Sequence, residues 1–173
     1  GDYFDVADTV ICMEAYVPRL ATAAAKRIVG ELPTRRAQES GGAFGPLAPR
    51  VPLPASIDPT RRGRTKVDAR GTDTIRFGGE DIDLHDVEQV VDPSQTEAIG
   101  DMLLYALRRG YLDGRATLRE ALGRVFADVA RAGLDVISPF HGEHPGNYAL
   151  PRPQEVAAAL NRLRTLAVRQ VRS

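Results

Sequence analysis

The sequence predicts an α+β protein, mostly helical, with one orphan core strand, a β-hairpin and three amphipathic helices. Three observations carry that expectation. Thr9-Val10-Ile11-Cys12-Met13 is a short apolar run rich in β-branched residues, which suits a strand buried on both faces. Thr74-Ile75-Arg76-Phe77 and Asp81-Ile82-Asp83-Leu84 alternate polar and apolar about Gly78-Gly79, a turn able to take positive φ. Three later segments repeat apolar residues at helical spacing between start and stop signals.

Taken in order, no strand precedes Thr9–Met13, so it either joins a sheet built from later residues or belongs, as an orphan core strand, to a sheet upstream. Pro18 suits the first turn of a helix, with Leu20, Ala23, Ala24 and Ile28 at helical spacing up to Gly30. From Pro33 to Arg64 the pattern collapses under Pro33, Pro46, Pro49, Pro52, Pro54 and Pro59 with Gly41, Gly42 and Gly45. Such proline density removes backbone donors and argues for an irregular linker or loop. After the hairpin, His85 to Val91 is read as a short helix in preference to a further strand. Ser94 and Glu97 form a capping box before the stripe Ile99, Met102, Leu103, Ala106, Leu107, which ends at Gly110. Thr117 and Glu120 form a second box before Leu118, Ala121, Leu122, Val125, Phe126 and Val129, with Gly133 as the stop. A third helix starts near Pro153 and carries Val156, Leu160, Leu163, Ala167 and Val171. The expected organisation is a strand-plus-helix segment over 1–32, a linker over 33–64 and an α+β module over 65–173.

Composition narrows the class. A chain of 173 residues, 43% of them apolar, suits a globular fold rather than a disordered one. No apolar run approaches the roughly 20 residues that span a bilayer, so a cytoplasmic location without membrane contact is expected. Cys12 is the only cysteine, which excludes an internal disulfide and a cysteine-based zinc site. Net charge is zero, yet unevenly spread. Thr34 to Arg70 holds eight basic residues and three acidic, and Gly71 to Leu104 holds Arg76 against nine carboxylates. A basic segment beside an acidic one serves a nucleic acid, a partner chain or mutual neutralisation.

Catalytic patterns are sparse. A phosphate-binding loop needs Gly-x-x-x-x-Gly-Lys-Ser/Thr between strand and helix. Neither Lys26 nor Lys66 has that setting, and Gly41-Gly42-Ala43-Phe44-Gly45 runs into Pro46. Thr9–Met13 ends in Glu14 alone rather than in paired acids. His141-Gly142-Glu143-His144 groups three potential ligands, but its glycines and Pro145 forbid the helical spacing of two-histidine metal signatures. Cys12, placed in an apolar strand, reads as a buried, unreactive thiol, and Ser138 near His141 lacks a nucleophile-elbow context. No catalytic, cofactor or metal residue is therefore assigned. Arg61-Arg62-Gly63-Arg64-Thr65-Lys66, with Arg70, is the candidate binding feature. A mobile basic segment meets the needs of phosphate-backbone contact. Aromatic residues for base stacking are missing until Phe77, and a solvated loop that neutralises the acidic stretch is the competing reading.

Several passages resemble a known family. Val6-Ala7-Asp8-Thr9-Val10-Ile11-Cys12-Met13 is similar to the passage in ABC ATPases where a short helix ending in Ala-Asp leads into the strand after the switch region. Ala69-Arg70-Gly71-Thr72-Asp73-Thr74-Ile75-Arg76-Phe77-Gly78, Ile82-Asp83-Leu84, Val87-Glu88-Gln89 and Asp92-Pro93-Ser94-Gln95-Thr96-Glu97-Ala98-Ile99 extend the likeness. With Tyr111-Leu112-Asp113-Gly114, Gly133-Leu134-Asp135 and Ala158-Ala159-Leu160-Asn161-Arg162-Leu163-Arg164, they resemble the C-terminal region of soluble, non-transporter ATPases of the ABC class. The resemblance implies an upstream core binding ATP and Mg, head-to-tail homodimers, and a C-terminal part that docks to the core, dimerises or contacts substrate. It places no nucleotide-contacting motif on a residue here; the switch histidine would fall at or before Gly1. The alternative is a module that binds RNA or single-stranded DNA through residues 61–70.

Overall fold

The computed structural model describes residues 3–32, 48–140 and 146–171. The chain divides into two compact units, Gly1–Pro46 and Leu47–Ser173. In the first, β1 (Ile11–Glu14) pairs antiparallel with β2 (Val17–Leu20), with Ile11 opposite Leu20 and Glu14 opposite Val17. The two-residue turn puts Ala15 and Tyr16 at φ 48° and 65°, the handedness that matches strand twist but that side chains resist. A bond from the Ala21 amide to the Val10 carbonyl (2.8 Å) extends the ladder. Thr22 Oγ1 accepts from the Val10 amide at 2.9 Å, tying the hairpin to α1 (Thr22–Glu31).

This corrects three expectations. The strand is not an orphan: its partner is the next segment, and Pro18 lies in β2 rather than in a helix. Nothing in Ala15-Tyr16 signals a turn, which is why the pairing was not legible. Nor is the strand buried, since all eight residues of β1 and β2 are exposed, Cys12 among them. Ala25 is the buried residue of α1.

The second unit is built on a three-stranded antiparallel sheet in the order β6 (Val67–Arg70), β7 (Thr74–Phe77), β8 (Glu80–Asp83). Alternation sorts its faces. Ile75, Phe77 and Ile82 are fully buried. On the other side, register aligns Asp68, Arg76 and Asp81 across the three strands, and Arg76 forms a two-pronged ion pair with Asp81. That guanidinium holds the Asp81 carboxyl below the usual carboxylate range. Opposite charges in one cross-strand row stabilise the sheet, each pair by roughly 0.2–1 kcal/mol.

Three helices cover the apolar face: α2 (Pro93–Arg108), α3 (Leu118–Ala132) and α4 (Pro153–Arg162). Their stripes (Ile99, Met102 and Leu103 from α2, Leu122 and Val125 from α3, Val156 and Leu160 from α4) join the sheet residues in one core. Each such side chain contributes about 1.5–3 kcal/mol of burial. The expected α3 cap is present: Thr117 Oγ1 accepts from the Glu120 amide at 3.3 Å, and Glu120 returns a bond to the Thr117 amide at 2.8 Å. At α2 the cap lies two residues earlier than expected. Asp92 accepts from the Ser94 amide and Gln95 reaches back to the amides of Val91 and Asp92, because Pro93 already occupies the first helical position.

Three further expectations change. His85 to Val91 forms two tight turns rather than a helix, closed by bonds from Val87 to Leu84 and from Val90 to Val87. The last helix ends at Arg162, and its expected continuation becomes β9 (Val168–Gln170), paired with β3 (Arg50–Pro52). The stretch 48–64 is not irregular. It carries β3, a 3-10 turn over Pro54–Ser56 with proline at its start, β4 (Thr60–Arg61) and β5 (Arg64–Thr65), and buries Val51 and Ile57. Pairing across more than a hundred residues leaves no local trace, so helical spacing and proline content misread both ends of this unit.

Candidate functional site

The basic run folds as a hairpin. Arg62 and Gly63 form its two-residue turn at φ 51° and 77°, which glycine adopts at no steric cost. Register sets Thr60 opposite Thr65 and Arg61 opposite Arg64, and a bond from the Lys66 amide to the Pro59 carbonyl (2.9 Å) continues the ladder. Opposed residues share a face and alternate along the strand, so Arg61, Arg64 and Lys66 project on one side. Two arginines directly opposite one another repel. An anion placed between them removes that penalty.

Arg61, Arg62, Arg64, Thr65 and Lys66 line an open depression of about 660 Å³. The acidic residues nearby are engaged elsewhere. Asp68 pairs with Lys66 and Asp81 with Arg76, while Asp58 accepts from the amide and hydroxyl of Thr60 at 2.8 and 2.6 Å. Those bonds lower the Asp58 pKa and brace the entry to β4. The other side of the hairpin base rests on Gly78, whose amide donates to the Lys66 carbonyl at 2.7 Å. A Cβ at Gly78 would stand 2.2 Å from the Asp58 carbonyl oxygen. Among the described residues Arg61, Arg62 and Arg64 make no ion pair. Arg70, exposed at the end of β6, lies outside the depression; it and Arg61 help hold Asp81 ionised. Within the acidic stretch Asp81 is thus neutralised chiefly by Arg76, with Arg70 and Arg61 contributing at longer range, while Arg62 and Arg64 make no ion pair among the described residues.

Two polar clusters escaped sequence reasoning. Asp128, buried on α3, accepts from Tyr111 (2.6 Å), Arg131 (2.7 Å) and Tyr105 (2.9 Å), and these bonds hold its pKa down to about 2. Asp101, buried on α2, accepts from Tyr148 at 2.6 Å; burial pushes its carboxyl up to about 6. Only the three-residue spacing of Asp128 and Arg131 was a local signal for either.

No group of three or more histidine, cysteine or carboxylate residues able to hold a metal occurs among the described residues. The His141–His144 cluster and the Gly41–Gly45 loop lie outside them. Ser138 Oγ accepts from the Phe140 amide at 3.2 Å, a local turn rather than a nucleophile–base pair. No helix among the described residues is long and apolar enough to cross a membrane.

Residues 66–169, which contain the sheet and all three core helices, match the family described as the MRB1590 C-terminal domain. The chain belongs to that family. Residues 1–50 match the P-loop domain of the ABC ATPases, which relates this family member to ABC-class ATPases. No curated protein matches the chain. Neither Lys26 nor Lys66 precedes a serine or threonine.

Proposed function

We propose that the chain serves an ABC-class ATPase by docking to its nucleotide-binding core and contacting its substrate, without itself supplying the residues that bind or hydrolyse ATP. The observation that carries this reading is the apolar surface of β1 and β2. Ile11, Met13 and Leu20 are 62, 61 and 78% exposed and share one face with Pro18 by register, within the segment that matches a P-loop domain. A two-stranded hairpin is marginal alone in water, and contiguous apolar exposure marks a surface built to be covered. A P-loop core is the occupant that the match supports, with ATP and Mg bound there and head-to-tail dimers as the resemblance implies. The purified chain is expected to show no Mg-dependent ATP hydrolysis above a buffer control. Turnover that survives further purification contradicts the proposal.

A second reading concerns the substrate contacted, and the unpaired arginines of the β4–β5 hairpin favour it. With no aromatic residue lining the depression, the hairpin suits phosphate contact rather than base stacking. Binding of labelled single-stranded RNA is then expected to weaken steeply with salt. Replacing Arg61, Arg62 and Arg64 with alanine lowers the slope of log K against log salt by roughly 2, at about 0.7 per phosphate contact. An unchanged slope removes the hairpin from the interface.

A further inference from the structure

Three carboxylates lie buried on the helices of the second unit, and their partners differ. Asp128 of α3 accepts from two tyrosines and from Arg131. Glu155 of α4 pairs with the Arg152 guanidinium and accepts from the Arg152 amide. Asp101 of α2 has one partner among the described residues, the neutral Tyr148 hydroxyl at 2.6 Å, and no cation at ion-pair distance. A carboxylate so placed keeps most of the cost of its lost hydration when it ionises. Neighbouring charges do not offset that cost. Glu97, one turn earlier on α2, opposes ionisation more strongly than Arg108 at the helix end favours it. The buried acids of α3 and α4 are each neutralised by their own arginine, and from the turn after α3 the uncharged Ser138 hydroxyl interacts with Tyr148.

The stretch that Asp101 holds has few other ties. Residues 146–151 lead into α4 without helix or strand, and only at Pro151 does the stretch become buried. Among the described residues its backbone is joined to α2 by one bond, from the Ala149 amide to the Ser94 carbonyl at 3.2 Å, and Leu150 is exposed. Such a stretch can leave a helix without unfolding it, and once it leaves, water reaches the carboxylate. We propose that the Tyr148–Asp101 contact is a pH-sensitive latch: protonation of Asp101 holds residues 146–150 against α2, and its ionisation releases them while the sheet and helices stay folded. The latched carboxyl titrates at about 6, against an ordinary 3.8, so the latched state binds the extra proton. Its advantage is complete below about pH 4 and is lost as pH rises through 6. Those two values change the ratio of latched to released forms roughly fiftyfold between pH 4 and pH 8.

Amide hydrogen exchange of the whole chain, followed by NMR, tests the latch. Protection of the Ala149 amide, taken relative to the unstructured rate at each pH, is expected to fall roughly fiftyfold from pH 4 to pH 8. In Asp101→Asn, which keeps the shape and removes the charge, it stays level within about twofold. Because the release is local, low urea leaves exchange at Ala149 unchanged while speeding exchange at Val125, in the buried stripe of α3. The proposal is overturned if protection at Ala149 does not vary with pH, or if Asp101→Asn shows the same fall as the parent. Equal urea sensitivity at Ala149 and Val125 also overturns it, since release would then require the whole unit to unfold.

Discussion

Replacing Gly78 with alanine is expected to destabilise the second unit far more than the same change at the neighbouring glycine. Gly78 has φ +61°, and an added Cβ would lie 2.2 Å from the Asp58 carbonyl oxygen, 2.9 Å from that of Thr60 and 3.0 Å from the Pro59 carbonyl carbon. All three are backbone atoms, so no side chain can swing aside. An ordinary contact begins near 3.4 Å, so either the turn or the Asp58–Thr60 segment must move by more than 1 Å. The left-handed backbone costs about 1–2 kcal/mol for a residue with a side chain, and a forced backbone shift adds about 1–3 kcal/mol. The sum, about 2–5 kcal/mol, lowers Tm by roughly 6–25 °C for a unit of this size, at about 3–5 °C per kcal/mol. Two controls divide the effect. Gly71 has φ +60° with nothing within 4 Å, so its alanine variant reports the backbone cost alone, about 1–2 kcal/mol. Gly79 has neither a positive φ nor a neighbour within 4 Å, and its variant stays within about 0.5 kcal/mol of the parent. Urea and thermal unfolding of the three variants supply the comparison. If Gly78→Ala is no worse than Gly71→Ala, the close approach of Asp58 is not what supports the hairpin.

Other outcomes follow from single groups. The Asp101 carboxyl is raised to about 6 when folded, above its unfolded value, so the folded state binds the extra proton. Stability therefore rises as pH falls from 7 through 6 towards 4, by on the order of 3 kcal/mol, and Asp101→Asn flattens that profile in urea titrations at each pH. Asp128, held at about 2, acts in the opposite sense: its stabilisation is complete above about pH 4 and is lost only as pH falls through 2. Removing the α3 cap with Thr117→Ala costs about 1 kcal/mol, read as a lower urea midpoint at unchanged slope.

The elements legible in the sequence were those whose signals are local. Thr117 and Glu120 announced α3, Gly133 ended it, and Gly78-Gly79 marked the β7–β8 turn. What stayed hidden depends on residues far apart or on turns without their usual residues. Ala15-Tyr16 turns the first hairpin with no glycine or asparagine. β9 is drawn out of a helical pattern by β3, where Leu53 donates to the Ala167 carbonyl at 2.9 Å and the Ala167 amide donates to Ser56 Oγ at the same distance. The prolines of 48–64 read as an irregular linker or loop, yet Pro54 starts a 3-10 turn and the stretch buries Val51. The arginine run was visible as composition, but its cross-strand pairing was not, since nothing in Arg61–Arg64 says which residues face each other until the turn closes at Arg62-Gly63. The Tyr105–Tyr111–Asp128 cluster spans two helices and a loop, so no window of sequence contains it.

The docking role of the exposed β1–β2 hairpin is tested most directly by amide hydrogen exchange over residues 11–20, measured with and without the purified nucleotide-binding core of an ABC-class ATPase. A hairpin covered by that core is expected to exchange at least tenfold more slowly on complex formation, and Ile11→Ser with Leu20→Ser to abolish both the protection and the complex. Exchange over 11–20 that stays unchanged at saturating core contradicts the proposed role.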